Sequence, residues 1–158
     1  MAGHTRIPAP ESGGTQTGAV SDLFARKFKT VDETIVANAV VHDDADIFFE
    51  ADANSIFSWE LLYYVLSASI AGFGSQWDIP GDAIMDRRFN PGTASGNPKD
   101  ATVLRIDPTS DLQQIHRHSG RLKTITQGTI KWKWRQDTAR GNPTTVGWGT
   151  ELQVTKEF

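Results

Sequence analysis

Apolar and polar residues alternate in TIKWKWRQDT, residues 129–138: Ile130, Trp132 and Trp134 hold one parity, Lys131, Lys133 and Arg135 the other. Side chains on an extended strand point to opposite faces in turn, so this period of two predicts one dry and one wet face. The same parity runs through SIFSWELLYYVLSAS (55–69), where Phe57, Trp59, Leu61, Tyr63 and Val65 fall on one side. Ile56, Leu62, Tyr64 and Leu66 load the other side too, a density that a buried helix also shows. Aromatic and branched content favours a long central strand there.

Further strands are expected at ETIVANAVV (33–41), IFFEA (47–51), FGSQWDI (73–79), ATVLRI (101–106), within LQQIHRHSGRLKTITQ (112–127) and in GWGTELQVTKEF (147–158). Gly120 reads as a break or bulge, and Trp148 shares a parity with Leu152 and Val154. Turn chemistry separates these runs. HDDAD (42–46) is rich in Asp, which bonds its own backbone two residues on. DAN (52–54), Pro80-Gly81, DPTSD (107–111) and ARGNPTT (139–145) are further turns, and 86–100 reads as a long loop. With about eight strands, no clear helix and no long crossover, the expected fold is an all-β antiparallel sandwich of jelly-roll type. Its core should hold Phe48, Phe57, Trp59, Trp77, Ile130, Trp132 and Trp134.

Residues 1–22 depart from this pattern. They hold Pro8, Pro10 and several glycines but few large apolar groups, and cannot bury enough to fold alone. They read either as a disordered tail or as an extended N-terminal arm that orders against a neighbouring subunit. The sandwich domain then spans 23–158.

Composition narrows the chemistry. The 158 residues fit one domain with a core of its own. Without cysteine there is no disulfide, thiolate metal site or thiol nucleophile. A formal net charge of -3 lacks the basic excess of a nucleic-acid binder. As an extended strand, moreover, TIKWKWR separates its aromatics from its cations, whereas a single-strand platform needs them on one surface. MAGHTRIPAPESGGTQTG has no apolar signal region, and LLYYVLSASIAGF is too short and mixed to span a bilayer. A soluble protein made in the cytoplasm is expected, with neither nucleic acid nor membrane as partner.

Candidate catalytic and metal motifs are fragmentary. His116-x-His118 has ligand spacing on one strand face but no identifiable third ligand. Asp43, Asp44 and Asp46 resemble part of a calcium loop whose glycine and distal Glu are missing. Glu50 and Glu60 would be paired carboxylates only if their strands aligned. There is no phosphate loop and no Gly-x-Ser-x-Gly elbow. No enzyme, cofactor or metal is therefore expected.

Several of these runs carry a resemblance. LFARK before the first strand, DETIVANAVVHDDADIFFEADANSIFSWELLYYVLSAS, FGSQWDIPGDAIM, GTIKWKWRQDT, NPTTV and GWGTELQV together are similar to a β-sandwich module of tailed bacteriophages, especially those of actinobacteria. Its marks here are Asp43-Asp44, the strands around Phe48 and Phe57, Trp77-x-x-Pro80-Gly81 before Met85, Gly128 through Trp134, and Trp148. The match covers roughly residues 24–157. The module occurs as a stand-alone virion protein or at the end of a minor tail or fibre protein. This chain departs from it in a more polar 86–127 segment, with Arg87, Arg88, His116, Arg117, His118 and Arg121, and in a short arm.

The resemblance implies a virion structural protein with packing motifs and no catalytic residues. It points to a capsid decoration or cement subunit, a homotrimer that contacts itself and the major capsid protein or other virion proteins. The alternative is a tail-associated fibre module that recognises host-surface carbohydrate, with Phe89 or Trp148 as the exposed aromatic. Expected partner contacts are Ile7, Pro8, Pro10, Leu23, Phe24, Arg87, Arg88 and Phe89.

Overall fold

In the computed structural model, residues 23–67, 72–89 and 114–157 are described. The arm, the strand expected at 101–106 and the turn at 107–111 lie outside them. Among the described residues eleven strands form an eight-stranded and a three-stranded sheet, and every pairing is antiparallel. They are β1 (Leu23–Phe28), β2 (Glu33–Ile35), β3 (His42–Ala51), β4 (Ser55–Ser67), β5 (Gly74–Asp78) and β6 (Ile84–Met85). After these come β7 (Arg88–Phe89), β8 (Gln114–Thr124), β9 (Gly128–Arg135), β10 (Thr144–Val146) and β11 (Glu151–Glu157).

Three of the strands in the large sheet are interrupted rather than separate. β10 and β11 pair in succession along one edge of β4, β1 and β2 flank them, and β6 and β7 pair in succession with β8. Joining each interrupted pair leaves eight strands. The first then pairs with the eighth, the second (β3) with the seventh (β9), and the third (β4) with the sixth (β8). This nesting is the jelly-roll arrangement. The fourth strand, β5, pairs with β9, while the fifth, β6/β7, adds to β8 in the large sheet.

The core lies between the sheets. Phe57, Trp59, Leu61, Tyr63 and Val65 of β4 face Ile130, Trp132 and Trp134 of β9, and all are buried. Aromatic edges interlock across the gap: Trp59 meets Trp77 at 5.1 Å between ring centroids and Tyr63 meets Trp132 at 5.3 Å. Each such ring removes a large apolar area from water at about 25 cal/mol per Å2.

Several expectations need correction. HDDAD is not a turn between strands; it opens β3, as a bulge where the β3–β9 register shifts between Asp43 and Phe48. The self-bonding Asp is real all the same, for Asp44 Oδ1 accepts from the backbone N–H of Asp46 and Ile47. The strand expected at 33–41 stops at Ile35; Ala37 has φ 52, which a β-ladder does not tolerate. LFARK does not precede the first strand but is its main part. The long loop expected from residue 86 is interrupted at once by β7.

Phe48 is not a core residue. Alternation in β3 buries Ile47, Phe49 and Ala51, so Phe48 lies half-buried on the outer face beneath the Lys27 ammonium. Trp148 is not a strand residue either; it stands at the β10–β11 break, 71% exposed.

The breaks in β1/β2 and β10/β11 are stitched together. Lys29 N–H donates to Thr150, Gly149 N–H to Lys29, and Trp148 N–H to the Asp32 carboxylate. The break turns the Lys29 side chain inward, where Nζ reaches Asp44 Oδ2 at 2.8 Å and Glu33 Oε2 at 2.6 Å. Asp44 Oδ2 also accepts from the Trp134 indole at 3.2 Å. A buried ion pair thus ties the edge of the large sheet to the bulge of the small one.

Candidate functional site

The outer face of the small sheet is solvated and internally neutralised. Lys133 bridges Asp43 at 3.1 Å and Asp78 at 2.8 Å, and Lys131 also reaches Asp43 at 3.1 Å. The two ammonium groups hold the Asp43 carboxyl below its usual range, Lys133 most strongly. The aromatic neighbours of these lysines, Trp132 and Trp134, are on the opposite, buried face. A base-stacking platform is therefore not assembled on β9.

The outer face of the large sheet is divided in two. Directly paired residues share a face, so the register defines its rows. Phe28, Glu151, Leu62 and Arg117 form one row across β1, β11, β4 and β8. Beyond it Tyr64 pairs with Ile115, and Leu66 with Thr145. Gly149 lies beside the Tyr64 ring, where an added Cβ would sit 3.6 Å from Cε2. Phe28, Leu66, Ile115 and Trp148 are exposed, while Leu62 and Tyr64 are half-buried. Together they concentrate apolar surface in this half of the face, as an apolar field; Val31, Val36, Val40, Ile84 and Ile125 are exposed elsewhere.

Below the field the rows turn polar. Arg26, Gln153, Glu60, Ser119 and Arg88 lie across one, and Thr155, Ser58 and Arg121 across the next. All of these except Arg26 line a shallow basin of about 440 Å3. Arg121 donates to the Glu157 carboxylate, whose pKa this pairing lowers. Arg88, expected as a partner contact, lies on this basin.

Other expected contacts fall elsewhere. Arg87 is a correction: it is only 2% exposed, and its guanidinium donates to the Ser75 carbonyl at 3.4 Å. The Asp86–Arg87 break between β6 and β7 turns it inward while Arg88 stays outside. Phe24 also turns in, its ring 4.9 Å from that of Phe57 at the rim of the core. Ile7, Pro8 and Pro10 lie outside the described residues, as do the side chains of Leu23 and Phe89.

The candidate chemistries separate in space. Glu50 is on the outer face of the small sheet and Glu60 on that of the large one, so they are not a carboxylate pair. His116 and His118 face the core. His118 Nε2 is 2.9 Å from the Tyr63 hydroxyl, and His116 stacks on the Tyr63 ring at 5.3 Å. Burial, with Arg87 and His116 adding to it, brings the His118 pKa down to about 3. Among the described residues no group of three His, Asp or Glu is placed to hold a metal ion. No helix there is long and apolar enough to cross a membrane.

Sequence reasoning missed Lys29 and the apolar field. The signal for the field was the second apolar parity of 55–69, Leu62-x-Tyr64-x-Leu66, which a one-faced strand does not need.

No protein-family model matches the chain, and no curated protein matches its sequence. Among solved structures it is similar to a chain from the tripod (BppUct-A-L) of the baseplate of bacteriophage Tuc2009. The similarity covers 99% of this chain and 79% of the other, at 12% identity and a TM-score of 0.38. So distant a likeness establishes neither a shared fold nor a shared role.

Proposed function

We propose that the chain is a structural subunit of a tailed-bacteriophage virion, a decoration or cement subunit that binds the head surface and works by adhesion rather than catalysis. The apolar field on the large sheet carries this reading. A monomer gains nothing from leaving Phe28, Leu66, Ile115 and Trp148 in water on one face, and such patches mark protein contacts. The sequence resemblance described above supplies the virion context. A stable contact buries roughly 800 Å2 per partner, which the field and its polar rim are placed to supply.

In this reading the subunit is a closed homotrimer that also contacts the major capsid protein. The arm, with Ile7, Pro8 and Pro10, and the basin with Arg88 are the remaining contact surfaces. Antibody raised against the chain and imaged on the phage that encodes it should label heads. Particles free of label would overturn the proposal.

A second reading draws on Trp148. An exposed indole whose own backbone N–H donates to the Asp32 carboxylate, next to Gly149 against the Tyr64 ring, also suits a sugar ring, with one apolar face and polar edges. It makes the chain a tail-associated module that recognises host-surface carbohydrate. Label on tails together with hits on a glycan array would favour it, and an array without hits would remove it.

A further inference from the structure

We infer that Lys29 and Asp44 condense with each other into an internal amide, so that a covalent bond between side chains joins the two sheets. The inference does not depend on the virion reading.

Three features make the pair a reaction site. The Lys29 and Asp44 side chains are 1% and 0% exposed, and Nζ lies 2.8 Å from Oδ2. An amine and a carboxyl held together in this way react as an intramolecular pair, far faster than the same groups free in solution. Asp44 Oδ1 accepts from two backbone N–H groups, those of Asp46 and Ile47, each at 3.0 Å. Two converging amides are the device that stabilises the oxyanion of a carbonyl under attack. Finally, Glu33 Oε2 lies 2.6 Å from the same Nζ, with Oε1 3.4 Å from His42 Nδ1. Asp46 also faces Lys29, but at 3.9 Å and partly exposed, so Asp44 is the better placed electrophile.

Burial lowers the Lys29 pKa, but hydrogen bonds to Asp44 and Glu33 outweigh it and leave the value raised. The ammonium therefore yields its protons within the site rather than to bulk water. One passes to Asp44 Oδ2 and makes a neutral acid. The freed lone pair on Nζ forms a bond to Cγ, and the carbonyl electron pair moves onto Oδ1, between the two N–H groups. Glu33 takes a second proton from the nitrogen and returns it to Oδ2 as the Cγ–Oδ2 bond breaks. Ammonium and carboxylate have become one amide and one water, and Glu33 is a carboxylate again. The Trp134 indole, which donates to Oδ2 at 3.2 Å, holds the departing oxygen. Glu33 is 30% exposed and gives the water a way out. Desolvation drives the step, because buried opposite charges lose much of their attraction to the cost of leaving water, and a neutral amide removes both. The ion pair is the state before the bond forms, and its response to pH and denaturant is that of a chain not yet condensed.

Intact-mass spectrometry of the purified full-length chain reads the bond. The chain should be lighter than its sequence by one water. Trypsin should then pass over Lys29 and release residues 28–87 as one peptide, lighter by that water, in place of 30–87. Lys29→Arg should restore the full sequence mass. Asp44→Asn should lose ammonia instead of water, since the same attack on a carboxamide expels its nitrogen. Glu33→Gln keeps the size of the side chain but cannot take the proton, and should slow condensation about a hundredfold or more.

A folded wild-type chain that keeps its full mass after prolonged incubation would overturn the proposal, and that result needs no variant to fold. So would a lost water that tandem spectra place away from Lys29 and Asp44, or that survives in Lys29→Arg. Condensation at the wild-type rate in Glu33→Gln would overturn the role given to Glu33.

Discussion

At the residue scale, Lys29 shows how one buried charge can hold two sheets together. Its ammonium is nearly inaccessible and lies between Asp44 and Glu33. Removing one member of such a set leaves the others desolvated and unpaired. Lys29→Met should therefore lower stability by about 3 kcal/mol in a urea titration. Its carboxylate partners raise the Lys29 pKa above 10.5 against the opposing effect of burial. The folded state thus holds this proton more tightly, and the stabilisation is complete below pH 10.5 and fades as pH rises through the folded value. His118 has the opposite sign. Burial lowers its pKa from 6.5 to about 3, so the unfolded chain takes up a proton that the folded one refuses. Stability should fall as pH drops from 6.5 toward 3. Asp43, Glu151 and Glu157 also have lowered values, but they act only as pH falls through the usual carboxylate range, near 4.5 and below. The loss above that range therefore reports histidine, His118 together with His116, whose pKa burial also lowers, and His118→Gln should reduce it in melting curves.

At the element scale, the interruptions matter as much as the strands. Gly120 of β8 lies under the Asp86–Arg87 break, where an added Cβ would sit 2.1 Å from the Asp86 carbonyl oxygen and 2.9 Å from Trp59. The backbone cannot yield there without losing the Asp86–Arg121 bonds. Gly120→Ala should cost about 1–3 kcal/mol and widen the basin, measurable by calorimetry. β9 shows the converse case, a regular element whose wet face tolerates change. Lys131→Gln and Lys133→Gln remove exposed pairs with Asp43 and Asp78, and each should shift stability by less than about 1 kcal/mol. With their charges already matched, the wild-type chain should show no salt-dependent shift of a labelled single-stranded oligonucleotide in fluorescence anisotropy.

At the scale of the whole molecule, the two outer faces have different tasks. The small sheet presents paired charges and stays wet, while the large sheet presents an apolar field above a polar basin. Deleting residues 1–22 should leave the melting temperature of the body nearly unchanged, because the Lys29 latch and the described core are assembled within residues 24–154. The same deletion should abolish binding to particles, read by co-sedimentation. Unchanged co-sedimentation would remove the arm from the adhesive machinery.

Alternation by itself determined the class of fold. The period of two in 128–135, together with the aromatic and branched content of 55–67, favours strands, and nested antiparallel pairing is the compact way to close about eight of them. It also separated the lysines of β9 from the tryptophans, because parity is a local property of the chain. Where backbone defects reset that parity, the tertiary structure decided the outcome. The bulge at Asp44 turns Phe48 out, the break at Asp86–Arg87 turns Arg87 in, and the break at Gly147–Thr150 leaves Trp148 in solvent. None of these can be counted off along the sequence, since each depends on a partner far away in the chain: Trp134 for Asp44, Gly120 for Asp86, Lys29 for Gly149. The apolar field is decided in the same way. Phe28 of β1, Leu62 and Tyr64 of β4 and Ile115 of β8 become one surface only when register lays their strands side by side.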